Sequence, residues 1–469
     1  MKRGLPFPWL AVSQWIQRSK EESVKRRILL GALVVLVATT LALVAVATGG
    51  VTKSSSPKGK QTLPASACQG VTYGGKGKPK YLIASDLPEQ GANRPQTTQM
   101  SNAIRYLLKT KWHWKAGKYT VGYQECDDAT AQAAKWDAAK CTSNARAYVG
   151  DKSVLGVVGT FNSGCAKLEV PIENRARPGP LGMVSPSNTA VGLTVAGLGA
   201  NKGEPGIYYP TKVRNYIRVV TRDDIQGPAG AMLAKSLKAK KVYILTDREL
   251  YGLGVATTFK IAAGRLKLKL ANGGTPEAWD PKASSYETQA NKIKASGADA
   301  VYLGGIVCNN GAKLVKDLRA TLGSKVKIIG PDGWTPFSAV AKAGTGAEGM
   351  YITVPGAPPE SLKGAGKTFV NGFRKSSLNP GHKKLASYVA YAAQAADVLM
   401  TAIKKSNGSR AAVTKNLFKT NVGKTAILGP FKIDKNGDTN LRGITAYRMH
   451  NGDGKTFKTL YPPTKLTHR

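Results

Sequence analysis

The sequence predicts an α/β protein built from two doubly wound units. Three observations predict it. Short apolar strand-like runs alternate with helical stretches from residue 80 to 184. The same alternation restarts after a Gly- and Pro-rich loop, 197–210, and continues to residue 333. The apolar runs end in small polar residues and glycines. Such alternation gives a parallel sheet with helices on both faces, and ligands bind just past the carboxyl ends of its strands.

In chain order, Lys80-Tyr-Leu-Ile-Ala84 is the first strand, and it ends in a polar turn from Ser85 to Gly91. A helix over 96–109, a strand over 119–123 and a helix over 130–148 follow. Strands over 154–158 and 181–184 flank a helix over 166–176. The second unit opens with an extended run over 216–220 and a helix over 225–237. A buried strand over 241–245 ends in the turn 246–254, and a helix comes next. Then come a strand over 266–271, a helix over 286–295, a strand over 300–305 and a helix over 311–322. The next strand starts at Lys327 and leads to Pro331-Asp332-Gly333. A long apolar helix over 385–406 reads as core. The tail has a hairpin turn over 430–437 and a strand over 444–448.

The strongest functional signal lies in the strands over 154–158 and 181–184. The first breaks at Gly159 into Asn162-Ser163-Gly164. The second ends in Ser185, Ser187, Asn188 and Thr189. Such residues are favoured in turns and caps on any account. Two of these turns at the same end of one sheet read as a ligand site. A helix N-terminus behind Ser163 suits a carboxylate.

Residues 1–27 are basic, and 28–52 contain no charged residue. That apolar length is enough to span a bilayer. The basic flank comes first, so the N-terminus stays in the cytoplasm and the rest is carried across. Ala45-Val-Ala47 fits a cleavage site, so the segment reads as a signal peptide or as a transmembrane anchor. Val24-Lys-Arg-Arg27 reads as a compact signal start, which makes 1–23 an extension. Residues 53–78 read as a flexible linker. The protein is therefore expected outside the cytoplasmic membrane, secreted or anchored.

The formal net charge is +41. The lysines are spread along the chain, and aromatics are only 7%, thin for base stacking. The charge reads as a solvated surface that attracts anionic envelope polymers or phospholipid; nucleic acid is not the expected partner. There is no Gly-x-Ser-x-Gly elbow, no Walker loop and no Cys-x-x-Cys, and only four histidines. No enzyme, cofactor or metal site is expected. Five cysteines in an exported chain point to disulfides. Cys126, Cys141 and Cys165 lie close together in sequence, whereas Cys68 and Cys308 stand apart.

Several motifs occur in a telling order: Val157-Val-Gly-Thr-Phe-Asn-Ser-Gly164, Met183-Val-Ser-Pro-Ser-Asn-Thr189, Asp223-Asp-Ile-Gln-Gly-Pro228, Asp247-Arg-Glu-Leu-Tyr-Gly-Leu-Gly254, Tyr302-Leu-Gly-Gly305, Gly330-Pro-Asp-Gly333, Ala347-Glu-Gly-Met350 and the run from Gly429 to Asp438. Together they resemble the leucine/isoleucine/valine-binding proteins, the type I periplasmic solute-binding family that serves ABC importers. The resemblance covers about residues 79–455. It implies two Rossmann-like lobes joined by three crossovers, near 219–221, 353–356 and 428–429. Lobe one would take 79–220 and 355–428; lobe two would take 221–354 and 429–469.

The resemblance also implies roles. Ser163 and Thr189 hold the carboxylate of an amino acid, and the Ser187 carbonyl helps with its ammonium. Tyr251 comes from the second lobe, and Asp332 pairs with the ammonium. Three departures stand out. Asp332 is shorter than the usual Glu, Ile306 replaces a tyrosine after Gly-Gly, and the aromatic of the first-strand turn is replaced around Gln90. The family often joins the places of Cys126 and Cys165, with Cys141 a rival here. The expected function is capture of a small solute, an amino acid or related zwitterion, by a monomer that delivers it to an ABC permease. The alternative is a membrane-tethered sensor using the same cleft.

Overall fold

A computed structural model describes residues 63–467. The expected segments 1–27 and 28–52, and linker residues 53–62, lie outside the described residues. Among the described residues no helix is long and apolar enough to cross a membrane.

The first sheet uses β1 (Tyr81–Leu87), β2 (Tyr119–Asp127), β3 (Val154–Gly159), β4 (Gly182–Ser185) and β5 (Tyr216–Arg218). Its order is β2-β1-β3-β4-β5, all parallel, with Lys115–Ala116 antiparallel on the β2 edge. Helices α1 (Arg94–Thr110), α2 (Ala138–Gly150) and α3 (Ser163–Asn174) connect these strands. β3 and β4 are buried along their whole length, as strands covered on both faces should be.

The chain then enters a second sheet. It runs through α4 (Asp223–Ser236), β6 (Lys241–Thr246), α5 (Leu250–Arg265), α6 (Glu287–Ala295), β7 (Ala300–Gly304), α7 (Gly311–Leu322), β8 (Lys327–Gly330) and β9 (Tyr351–Pro355). It returns to the first sheet for α8 (Ala365–Arg374), α9 (Val389–Lys404) and α10 (Arg410–Leu417), where α9 packs on β3, β4 and α1. It crosses again to add β10 (Ile444–His450) and β11 (Asp453–Leu460) antiparallel beside β9. The second sheet thus runs β6-β7-β8-β9-β10-β11, with Lys269–Leu270 beyond β6.

Three passages therefore join two sheets, and they lie side by side. Gly356 N–H donates to Gly443 O at 2.7 Å, and the Thr221 hydroxyl to Leu441 O at 3.0 Å. The third passage comes later than the expected 428–429. Residues up to Asp438 stay with the first sheet: Arg218 N–H donates to Gly437 O, and Asp438 Oδ1 lies 2.7 Å from Arg218 Nε. Arg218 is fully buried. A guanidinium in that position needs its carboxylate there too, which holds the chain in the first lobe through Asp438.

Other elements differ from expectation. The helix expected over 130–148 starts at Ala138, because Asp137 caps it through Oδ1 and the Lys140 N–H, 2.9 Å. Before it, Ala129–Thr130 and Lys135–Trp136 form a small hairpin. The strand expected over 266–271 shortens to two residues. Residues 63–73, expected within the linker, pack against β2: Leu63 is buried, and Thr72 bridges Tyr123. The disulfides are Cys68–Cys126 and Cys141–Cys165, and Cys308 is a free thiol. Cys165 thus pairs with the rival Cys141 and not, as the resemblance implied, with Cys126, which pairs with Cys68. Cys126 on β2 faces the docked segment that carries Cys68, while α2 packs on α3 and brings Cys141 to Cys165.

Candidate functional site

The cavity lies where the ends of β3 and β4 face the loops after β6, β7 and β8. On the first-lobe side it is lined by Asn93, Phe161, Asn162, Ser163, Ser187 and Thr189. On the other it is lined by Tyr251, Ile306, Asp332 and Gly333.

The first-lobe wall is stiff because the two strand-end loops are stitched together. Asn188 Nδ2 donates to the carbonyls of Thr160 at 2.9 Å and Phe161 at 3.0 Å. Ser187 Oγ donates to Phe161 O at 3.1 Å. The Ser163 hydroxyl accepts from Ala190 N–H at 3.3 Å. Asn162 is the N-cap of α3 with extended backbone and no side-chain cap bond. The N–H groups of Ser163 and Gly164, in the first turn of this helix, have no intrahelical acceptor. With the helix dipole they make this wall receptive to an anion.

The second-lobe wall is acidic. Asp332 is nearly buried. Tyr251 OH donates to its Oδ1 at 2.6 Å, and Tyr388 OH to its Oδ2 at 2.5 Å. Gly333 N–H in turn donates to Tyr251 OH at 2.9 Å, which fixes the phenol. Burial raises the Asp332 carboxyl above its ordinary range, and the two tyrosine hydroxyls pull it partly back. Behind it Asp223 is fully buried with no hydrogen-bond partner on either oxygen, and burial and then Asp332 push it well up. A positive charge in the cavity would favour the ionised form of both. The space between the walls holds about 20 Å³ for the centre of a water-sized sphere, room for little more than one water. The two walls are closed on each other.

Seven of the eight residues singled out from the sequence line this one cavity. Gln90 does not. Its Nε2 turns away to Asp127 Oδ2 at 2.8 Å and to Ala129 O at 3.2 Å. Asn93, one helical turn later, takes the place on the wall. Phe161 was visible in the motif but not assigned, and Tyr388 had no local signal: it precedes an apolar helix and reaches Asp332 only through the tertiary fold. For a metal, two groups among the described residues come near, Asp86 and Glu169 with Cys165, and Asp128 with Cys141 and Cys165. Both sulfurs are spent in a disulfide, so neither group offers a thiolate ligand.

Residues 115–455 match the periplasmic binding protein family. The chain is 26% identical over 275 residues to a leucine-, isoleucine-, valine-, threonine- and alanine-binding protein of Pseudomonas aeruginosa, spanning 58% of this chain and 66% of that one. A leucine-binding protein from Thermotoga maritima superposes with a TM-score of 0.68 at 22% identity, over 81% of this chain and 99% of that one. A branched-chain amino acid transporter substrate-binding protein from Streptococcus pneumoniae, in complex with isoleucine, gives 0.67 at 20% identity, over 82% and 100%. At these identities the likeness to the two structures is one of fold. The chain belongs to the periplasmic binding protein family.

Proposed function

We propose that the protein captures a small solute with both an ammonium and a carboxylate, an amino acid or close analogue, in this cavity and presents it to an ABC permease. The observation that carries this reading is the polarity of the cavity. One wall offers helix N–H groups and the hydroxyls of Ser163 and Thr189; the other offers the buried carboxyl of Asp332. A zwitterion satisfies both at once, and charge-assisted hydrogen bonds make such contacts the strong ones. Neither wall alone grips both ends, so binding favours the closed cleft. The lobes are taken as 79–220 with 355–438 and 221–354 with 439–469, the boundary expected at 428–429 being shifted to follow Asp438.

The family binds its ligands and does not transform them, and it works outside the cytoplasm. An N-terminal helix over 28–52 would keep the basic protein near the membrane that holds its permease. The names of the relatives lend no support to a sensor.

A thermal-shift screen of the purified protein against single amino acids tests the reading. A ligand that binds only the folded state stabilises it by about 2.7 kcal/mol at a hundredfold excess over Kd. One class of amino acid should raise the midpoint clearly. No shift with any amino acid would remove the assignment.

A further inference from the structure

The hairpin Ala129–Trp136, between β2 and α2, reaches out of the first lobe and takes hold of the second. Lys135 Nζ lies 2.7 Å from Glu249 Oε1 and 2.6 Å from Asn309 Oδ1. The Trp136 indole N–H donates to Glu249 Oε2 at 3.1 Å. One carboxylate thus receives two adjacent hairpin side chains, one charged and one neutral.

What lies behind Glu249 matters more than the pair itself. Glu249 is the N-cap of α5, whose second residue is Tyr251. Its Oε1 also accepts from Asn309 Nδ2 at 2.9 Å. The same amide nitrogen donates to Asp247 Oδ2 at 2.9 Å, and Asp247 Oδ2 accepts from Ile306 N–H at 2.9 Å. The hairpin is therefore connected, bond by bond, to the two loops that place Tyr251 and Ile306 on the cavity.

Trp136 adds a packing link to the opposite wall. Its ring lies so close to Gly164 that a Cβ there would fall 2.4 Å from Cζ2. Gly164 is in the first turn of α3, where the anion-binding N–H groups point. The same ring joins Tyr251, Val255 and Ile306 in a small apolar cluster. Trp136 is thus wedged between the walls and shields the helix terminus from water, which strengthens any charge interaction inside. Other contacts cross between the lobes, such as Gln96 with Thr335 and Lys384 with Asp453. The hairpin contact touches both walls of the cavity, as does Tyr388, which donates to Asp332 and packs edge-on against Phe161; the hairpin adds a charged pair to that link.

We infer that Lys135 and Trp136 form a latch that fastens the closed cleft by gripping Glu249, and that this latch sets how long a bound solute stays. The second half of this statement rests on the solute-binding reading. The latch forms after the solute has entered, because its two halves meet only when the lobes meet. It therefore acts on departure and not on arrival. Lys135 and Glu249 are positioning residues: neither lines the cavity.

The test uses Lys135→Met, Glu249→Gln and the double variant of the full chain in mild detergent. Binding of L-leucine and of L-alanine is followed by stopped-flow fluorescence. Loss of one partner of a half-buried, hydrogen-bonded charge pair acts chiefly on the dissociation rate. Each single variant should speed dissociation on the order of tenfold to a hundredfold, with association changed by less than about twofold. The double variant should be no faster than the worse single one, as expected for partners in one interaction. A merely structural role would lower the thermal midpoint and leave this split of rates unmoved. Unchanged dissociation, or effects of the two substitutions that add fully, overturns the latch. If neither amino acid binds the wild type, the solute reading fails for these probes, and hydrogen exchange of the ligand-free protein decides the latch. Amides of the hairpin and of Ile306 should then exchange at least about tenfold faster in Glu249→Gln; equal protection in wild type and variant overturns it.

Discussion

Asp332 carries two conflicting demands. As a buried carboxyl it is costly, and its raised pKa shows that the fold resists its ionisation. As the proposed ammonium partner it must be there. Asp332→Asn keeps the shape and removes the charge. Ligand affinity should fall about tenfold to a hundredfold, the range for a hydrogen bond to a charged group, while the thermal midpoint stays level or rises. Titration calorimetry beside scanning calorimetry checks both halves. A fall in stability with affinity intact would reverse the assignment. Much of the cavity could be read from the sequence because its residues sit in tight turns at strand ends, where the local chain dictates position: Asn162, Ser163, Ser187 and Thr189 are of this kind. Asn93, Tyr388 and Asp223 could not be found so, since what makes them neighbours of the cavity is the packing of distant elements. Gln90 shows the reverse failure. The turn was in the right place, but Asp127 captured the side chain.

At the scale of elements, α3 joins the proposed site to a buried acidic region. Ser163 begins the helix, and Glu169 and Glu173 lie on its buried face. Asp86 on β1 and Asp128 after β2 are buried nearby, and both oxygens of Asp128 and of Glu173 lack a hydrogen-bond partner. Burial pushes all four above the ordinary carboxylate range. Burial, then Glu125, pushes Glu89 up to about 8, and burial, then Glu249, pushes Asp247 up to about 7. Each of these groups binds its proton more tightly folded than unfolded. Their contribution is full below the unfolded value, about 4, and is lost as pH rises through the folded values. The thermal midpoint should therefore fall between about pH 5 and pH 9, and Glu173→Gln should flatten that slope. A midpoint that climbs across the range contradicts this. Asp438 has the opposite sign. Burial raises it, but Arg218 and Arg222 hold it below its usual value, so its share is lost on acidification. The disulfides close loops of different length, with separations of 58 residues for Cys68–Cys126 and 24 for Cys141–Cys165. Each should contribute on the order of 2–4 kcal/mol, the longer loop about 1 kcal/mol more on chain entropy alone. Paired Cys→Ser variants, unfolded in urea, measure it. The hairpin at 129–136 was hidden because Ala-Gln-Ala-Ala-Lys has helical composition; Asp137 decides where the helix begins, and a cap is one residue against eight.

Across the whole molecule, the two sheets were legible because period and apolarity repeat through the chain. The order of strands and the side-by-side passages were not, because they depend on pairings far apart in sequence. β11 illustrates this: its burial follows no alternation, four of its eight residues are exposed, and only its antiparallel pairing with β10 makes it a strand. The late third passage has the same origin, in a salt bridge between Arg218 and Asp438 that spans 220 residues. The function proposed for the closed cleft is to read two opposite charges on one small molecule. The most direct measurement is titration calorimetry of the amino acid found in the thermal screen, set beside two partial analogues, its carboxylic acid without the amine and its amine without the carboxylate. The zwitterion should bind, and each half-molecule should bind at least about a hundredfold more weakly, as when a charged partner is left unpaired in a closed site. A carboxylic acid that binds as tightly as the amino acid would contradict it, because Asp332 would then have no cation to hold.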